Sequence, residues 1–353
     1  MKNINRYLAS ITKWAEVDRK LYFKSAFDYP GTYCYDLNQN RLFVIEENNN
    51  KEEWISFAYG EAVAVKSKVI FIPRNNSYMC IYDTKSGRMS YMKKKYDENY
   101  YYGLEYGNKI FMVPSETDNV DRIMAYNDEK DTIEYPFENL KFKVGIKGYG
   151  CISGKNLYLP IKNKKQVLKI EIENNRFQCV DVNIGELEVE SITYLKDSFY
   201  FAGNKAYIIK WDGMEQCKRI SFKLENENEQ VALYGRANYF NGELIFVNGA
   251  KGSIYKLNVD TEKVIEKQVV DLNDGETVGF QNCCEDFFYF EVVPKDVKKR
   301  VPYVIDKNNN INILDSLMLN QEMDLINCYS RINYEYSKYA LKHFISKLRR
   351  KDE

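Results

Sequence analysis

The sequence predicts an all-β fold: a seven-bladed β-propeller of four-stranded antiparallel blades with a C-terminal α-helical tail. Three observations predict it. First, a large apolar residue followed by Asp, Asn or Glu recurs seven times, at Tyr35-Asp36, Tyr82-Asp83, Tyr126-Asn127, Ile172-Glu173, Trp211-Asp212, Leu257-Asn258 and Ile305-Asp306. The spacings are 47, 44, 46, 39, 46 and 48 residues. A unit of that length cannot bury its own apolar surface, so the units must stack. Second, each unit contains four short β-type runs bounded by Gly, Asn, Asp and Ser, which is the signature of successive hairpins. Third, the period changes from 2 to about 3.6 after residue 316, where the tail begins.

Taken in order, the blades are placed at about 10–49, 57–96, 99–140, 146–184, 188–224, 231–272 and 277–316, within a propeller domain of residues 1–316. The second unit shows the pattern most plainly. Strand A is Glu61–Val65, strand B Val69–Pro73, strand C Tyr78–Asp83 and strand D Arg88–Met92, with polar turns between. The B strands are apolar on both faces, as in Ile70-Phe71, Leu157-Tyr158-Leu159, Phe199-Tyr200-Phe201 and Phe288-Tyr289-Phe290. A strand packed between neighbouring sheets needs that pattern, whereas an exposed edge would alternate. Lys68 to Pro73, Lys109 to Pro114 and Lys155 to Pro160 share one spacing. Proline cannot donate to a ladder, so it marks the end of strand B. Each blade is complete in itself on this count, so closure does not require an N-terminal strand in the last blade. Residues 317–353 form the tail, with a helix over about 331–350. Leu341, Phe344, Ile345 and Leu348 share one helical face, and Lys and Arg surround it.

Composition narrows the function classes. The 353 residues carry 51 Lys+Arg and 51 Asp+Glu, a formal net charge of zero. A general nucleic-acid binder would show a basic excess, so no nucleic-acid partner is expected. Hydrophobic residues make up 44%, enough for a substantial core. The start, Met1 to Ala9, has no apolar h-region, and no run approaches the ~18 apolar residues of a membrane helix. The expected location is cytoplasmic. The eight Cys, at 34, 80, 151, 179, 217, 283, 284 and 328, form no C-x-x-C pair, and His343 is the only His. No metal and no cofactor are expected. The thirty Tyr suit half-buried strands and need no ligand to explain them.

Several residues invite chemistry. The seven apolar-acidic pairs could be read as a ring of acids. They fall at the end of strand C, however, where a short acidic or amide side chain accepts backbone N–H groups of the next turn. His343 lies in the tail helix and would need that helix to fold over the channel to serve as a base. Cys283-Cys284 could be redox-active. Neighbouring strand residues point to opposite faces, so two buried small side chains are the simpler reading. Gly148 to Gly154 lacks the spacing and following helix of a phosphate loop. The channel mouth, built from the D–A and B–C loops, is the place for a ligand. Strand A starts give Tyr59, Glu61, Tyr101, Tyr149, Glu190, Arg236 and Gln281, and the B–C loops give Arg74, Glu116, Lys162 and Lys205. No spacing selects a catalytic residue among them.

The B-strand and C-strand marks resemble those of bacterial seven-bladed propellers of the broad kelch-like and quinoprotein-like group, over residues 10–316. The chain has no Gly-Gly and no Gly-His pair, and Trp211-Asp212 is its only Trp-Asp. Kelch and WD repeats in the narrow sense are therefore not matched. Such folds host enzymes, lectins and scaffolds alike. The expectation is a non-catalytic binding or scaffold protein whose loop face meets a protein or glycan-like partner. The alternative is a carbohydrate-active lyase or hydrolase using mouth carboxylates and Tyr. The basic helix at 331–350 could also dock on an anionic membrane surface or a partner.

Overall fold

The computed structural model describes residues 6–7, 11–24, 31–47, 59–114, 116–138, 143–162, 164–222, 236–249, 251–268, 270–294, 300–314 and 318–319. These residues form a seven-bladed β-propeller. Seven four-stranded antiparallel sheets each take consecutive strands A, B, C and D in sequence order. Strand A of blades 1 to 7 is Ala15–Val17, Tyr59–Val65, Tyr100–Tyr106, Cys151–Ser153, Val189–Leu195, Asn238–Phe240 and Thr277–Cys283. The B strands are the most deeply buried. Five of six residues in Lys68–Pro73 and all six in Ser198–Gly203 are buried. The D strands Arg88–Lys93 and Arg176–Asp181 alternate between half-buried and exposed, as the outer edge of a blade should.

The core lies between blades rather than within them. Ile70, Ile72 and Met79 of blade 2 pack with Ile110, Met112 and Tyr126 of blade 3. Equivalent layers join blades 1 and 2, 3 and 4, 4 and 5, 5 and 6, and 6 and 7. A further layer joins blade 7 to blade 1, where Cys284, Tyr289 and Val304 meet Ile11, Trp14 and Phe23. The ring is therefore closed, and every B strand is covered on both faces.

Polar contacts also bind the seam between blades 7 and 1. The Ile11 N–H donates to Glu291 Oε1 (2.9 Å), the Trp14 N–H to Asn282 Oδ1 (3.2 Å), and the Trp14 indole to the Cys283 carbonyl (2.9 Å). Glu291 also accepts from the Tyr289 hydroxyl and lies 3.6 Å from Arg300. The Glu291 and Arg300 side chains are only 1% and 4% exposed, so each needs the other's charge.

Among the described residues, two short sheets lie outside the blades. Glu116–Thr117 pairs with Ile146–Lys147, and Arg6–Tyr7 pairs with Met318–Leu319. The second pair corrects the expected helical tail at its beginning, since Met318 and Leu319 are strand residues held by an N-terminal partner. The rest of the expected tail, with the helix at 331–350 and His343, lies outside the described residues. Helical structure among the described residues includes the 3-10 turn Val120–Arg122. None of their helices is long and apolar enough to cross a membrane.

The repeated acids close turns. Asp36, Asp83, Asn127, Asp212, Asn258 and Asp306 each accept backbone N–H bonds from residues two and three, or two and four, further on. That is Asx-turn geometry, which asks for a side chain of Asp or Asn length. Glu173, one methylene longer, does something else. It accepts from Tyr106 of blade 3 (2.8 Å) and pairs with Lys155 (2.7 Å).

Candidate functional site

Because strand A is the innermost of each blade, its residues line the channel, and neighbouring A strands approach closely there. The Ala62 N–H donates to the Lys13 carbonyl (2.7 Å). Tyr149 and Ser191 form a parallel bridge between blades 4 and 5. Gly148 has φ of +92°, and a Cβ at that position would lie 2.5 Å from the Glu190 carbonyl oxygen. Glycine is required there on both counts.

Within this ring the eleven expected residues separate into groups. The first group meets in the channel. Arg236 Nη1 lies 3.7 Å from Glu61 Oε2. Glu61 belongs to blade 2 and Arg236 leads into blade 6, which are not neighbours, so the pair spans the channel. Tyr149 comes in from blade 4. Burial is the main cause that raises its phenol pKa, Glu61 adds to it, and Arg236 and Arg74 oppose it. Arg74 lies over the Tyr101 ring, 3.8 Å from its centroid, and hydrogen-bonds the Tyr101 hydroxyl. Five of the expected residues thus form one electrostatic cluster drawn from blades 2, 3, 4 and 6.

The second group sits around the Glu116–Thr117 sheet. Glu116 pairs with Lys162, and Lys147 lies 3.7 Å from Glu190. The hydrogen bond and charge of Lys162 hold the Glu116 carboxyl below its ordinary range. Gln281, in strand A of blade 7, accepts from Asn238 Nδ2 of blade 6 (3.2 Å). Tyr59 is not at the mouth surface. It is buried between blades 1 and 2, where it accepts from Asn76 (3.1 Å) and carries the Lys24 ammonium 4.2 Å above its ring. Lys205 is half-buried in the B–C loop of blade 5 and belongs to neither group.

Sequence reasoning missed Lys13, Tyr102 and Cys151. Lys13 lies within electrostatic reach of Glu61, Arg236 and Cys283. Tyr102 accepts the Gly150 N–H (2.8 Å) and packs on Tyr149, ring centroids 5.0 Å apart. Burial pushes the Cys151 thiol up to about 12, with Arg236 pulling against it. A signal for two of them was present. Counting back 22 or 23 residues from the second member of six of the seven pairs reaches Lys13, Glu61, Cys151, Glu190, Arg236 and Cys283, while Asn127 leads to Leu104 and Glu105 instead. The vicinal cysteines diverge as alternation requires. Cys284 is buried in the seam core between blades 7 and 1, while Cys283 is half-buried on the side of blade 6. The Cys283 thiol packs against the layer between blades 6 and 7, 3.6 Å from Asn238 Oδ1 and 3.7 Å from the Tyr239 carbonyl.

The arrangement offers charge and hydroxyl groups to a ligand, and among the described residues its carboxylates Glu61, Glu116 and Glu190 each lie by a cation. Among the described residues, no three His, Cys, Asp or Glu side chains gather as a metal centre would need. No family model and no curated protein matches the chain. Solved structures do match its shape. Virginiamycin B lyase from Staphylococcus aureus is 12% identical with a TM-score of 0.60, covering 85% of this chain and 96% of that one. PorZ, a surface component of the type-IX secretion system of Porphyromonas gingivalis, is 10% identical with a TM-score of 0.58, covering 88% of this chain and 39% of that one. Kluyveromyces lactis Hsv2 is 9% identical with a TM-score of 0.55, covering 86% and 97%. At such identities the likeness is one of fold alone, and the fold is the propeller.

Proposed function

We propose that this chain is a non-catalytic binding or scaffold protein that presents its channel-mouth face to a protein or glycan-like partner in the cytoplasm. One observation carries the reading. The mouth carboxylates each face a cation rather than one another: Glu61 with Arg236, Glu116 with Lys162, Glu190 with Lys147. Glycoside chemistry by two carboxyl groups asks for a facing pair, one of them kept protonated by its surroundings. Glu116 is pulled the opposite way. Paired charges at a rim instead supply register and selectivity to an interface. PorZ, named as a secretion-system component, is a propeller-bearing relative in shape that works in an assembly. The lyase neighbour supports the alternative, a carbohydrate-active lyase or hydrolase, only at the level of fold.

The test compares baits. Wild-type protein, a mouth variant carrying Lys147→Glu and Lys162→Glu, and a Lys85→Ala control at the opposite end are used to recover partners from the native host. A partner kept by wild type and control but lost by the mouth variant supports the reading. Retention by the mouth variant removes it. A turnover activity on polysaccharide that disappears in the Glu61→Gln, Glu190→Gln double variant would replace it with the enzymatic alternative.

A further inference from the structure

The outer groove between blades 6 and 7 is flanked by strand D of each blade, Val264–Gln268 and Ile311–Ile313. Contacts fix which side chains enter it. Ile265 lies directly across its sheet from Lys256, and the Lys256 ammonium donates to Asn309 in the C–D turn of blade 7. Ile313 lies directly across from Tyr303, whose ring stacks on Phe290 (5.5 Å) in the layer shared with blade 6. Residues directly opposite each other on paired strands share a face. Ile265 therefore points toward blade 7 and Ile313 toward blade 6, above a floor that includes the half-buried Tyr303 and Ile311.

The two isoleucines are 59% and 42% exposed. A single exposed Ile needs no explanation, but two on the facing walls of one groove make an apolar patch. Two other grooves are closed at this level. Phe177 in strand D of blade 4 packs edge-on against Phe137 (5.6 Å), and Ile220 in strand D of blade 5 is buried in the layer shared with blade 6. At its mouth end the groove between blades 6 and 7 meets the D–A loop, residues 270–276, whose Val270 and Leu272 pack on the same layer. That loop carries Asp271, Asp274 and Glu276 and no Lys or Arg. Lys256 is engaged by Asn309 and by Glu243 (3.6 Å), so its charge is met within the groove.

We propose that this groove is the docking surface for the chain's own C-terminal segment, residues 338–350. Three features name that segment as the occupant. Its Leu341, Phe344, Ile345 and Leu348 fall at i, i+3, i+4 and i+7, the spacing with which a helix fills an apolar groove. Its Lys338, Lys342, Lys347, Arg349 and Arg350, with no acid among them, complement the acids of residues 270–276. It is also tethered close by. Strand D of blade 7 is itself a wall of the groove, and the chain runs on from it to Met318–Leu319, which Arg6–Tyr7 holds. Residues 320–337 reach up to about 60 Å when extended, roughly twice the diameter of a small domain. A tether makes the docking intramolecular, which favours it over capture of a free partner. The surface lies on the outer wall of the ring and stands apart from the mouth face proposed above.

Photo-crosslinking of the full chain tests this. Benzoylphenylalanine placed at Ile313 is expected to crosslink to residues 338–350 of the same chain, with a yield independent of protein concentration. The same probe at Tyr91, exposed in strand D of blade 2, is expected to leave that segment unlabelled. Hydrogen exchange supplies the second reading. Amides of residues 341–348 should exchange about tenfold or more faster in an Ile265→Asp, Ile313→Asp double variant than in wild type. Both positions are exposed, so the blades keep their packing, and circular dichroism checks that they do. No crosslink from Ile313 to the segment overturns the proposal, as does a crosslink that joins two chains. Equal exchange in wild type and the double variant overturns it too. A wild-type chain that sediments with phosphatidylserine vesicles as fully as the double variant assigns the segment to a lipid surface and overturns the proposal as well.

Discussion

The two ends of each blade are built on different rules. At the C–D turns, six of seven blades repeat one device, an Asp or Asn closing its own turn. At the channel end, the corresponding positions in or just ahead of strand A in six blades carry Lys13, Glu61, Cys151, Glu190, Arg236 and Cys283, two acids, two thiols and two cations. A turn must be made seven times, so the same local chemistry is kept seven times over. The channel is made once, by all blades together, and each blade can contribute something different. Repetition in this chain marks architecture, and its loss marks the place where a particular ligand or a particular structural problem was met.

The seam between blades 7 and 1 is where that rule can be broken. Glu291 is unrepeated, yet its contacts are structural: the Ile11 N–H, the Tyr289 hydroxyl and the Arg300 guanidinium. Glu291→Ala would remove the carboxylate 3.6 Å from the buried Arg300 guanidinium and take the acceptor from the Ile11 N–H and the Tyr289 hydroxyl, which costs about 3–5 kcal/mol. Urea unfolding should show this as the largest single loss proposed for the molecule. A loss below about 1 kcal/mol would place the seam's strength in the apolar layer of Trp14, Phe23 and Tyr289 instead.

The channel end also has fixed parts beneath its variable side chains. Gly203 ends strand B of blade 5, and a Cβ there would fall 1.8 Å from the Glu188 carbonyl oxygen. Backbone cannot step aside as a flexible side chain does. Gly203→Ala is expected to cost about 1–3 kcal/mol by thermal or chemical melt. A neutral outcome would show the mouth loops to be softer than the turns at the other end.

How much of this was legible beforehand follows from the same contrast. The blades were readable because the Asx turns and the two-sided B strands impose local residue types at a fixed step. Glu61, Arg236 and Tyr149 were readable as strand A starts, although the pairing of Glu61 with Arg236 was not. That contact joins residues 175 positions apart on blades that are not neighbours, and no local pattern records it. Lys13 escaped because the first blade begins with only a three-residue A strand, Ala15–Val17, too short to show a period. The two-residue strands Glu116–Thr117 and Met318–Leu319 escaped for the same reason. The burial of Tyr59 between blades was not legible, because it depends on its neighbours Lys24 and Asn76 and not on its position in strand A.

The repeated end offers a milder test. Asp83 accepts the backbone N–H groups of Lys85 (2.9 Å) and Ser86 (3.2 Å), and these bonds lower its carboxyl pKa below the ordinary 3.8. A depressed folded-state pKa means stability that is present above about pH 4 and lost as pH falls through the folded value. Asp83→Ala is expected to cost about 1 kcal/mol at neutral pH, since water can replace part of what is lost. Asp83→Asn should keep most of that stability and remove its pH dependence, because the amide oxygen accepts the same two bonds without titrating. Melting both variants at pH 7 and pH 3 checks the sign. A fall of equal size for Asp83→Asn at neutral pH would show that charge, not turn geometry, is what the repeat preserves.

The smallest effect is expected at the one copy that departs from the pattern. Glu173 is too long for the Asx turn and reaches sideways to Lys155 and to Tyr106 of the preceding blade. The Lys155 and Glu173 side chains are 71% and 49% exposed, so water and salt screen the pair. Glu173→Ala should leave the melting temperature within the scatter of replicate measurements, and added salt should not change that outcome. The neighbouring blades are held by Phe111, Leu157 and Leu168 in the layer between them, which the substitution does not touch. Had Glu173 closed its turn as Asp83 does, its removal would resemble Asp83→Ala in size. A measured loss of that size would therefore mean that the repeat preserves an acid for some purpose other than the turn, and the division between a repeated architectural end and a variable channel end would have to be given up.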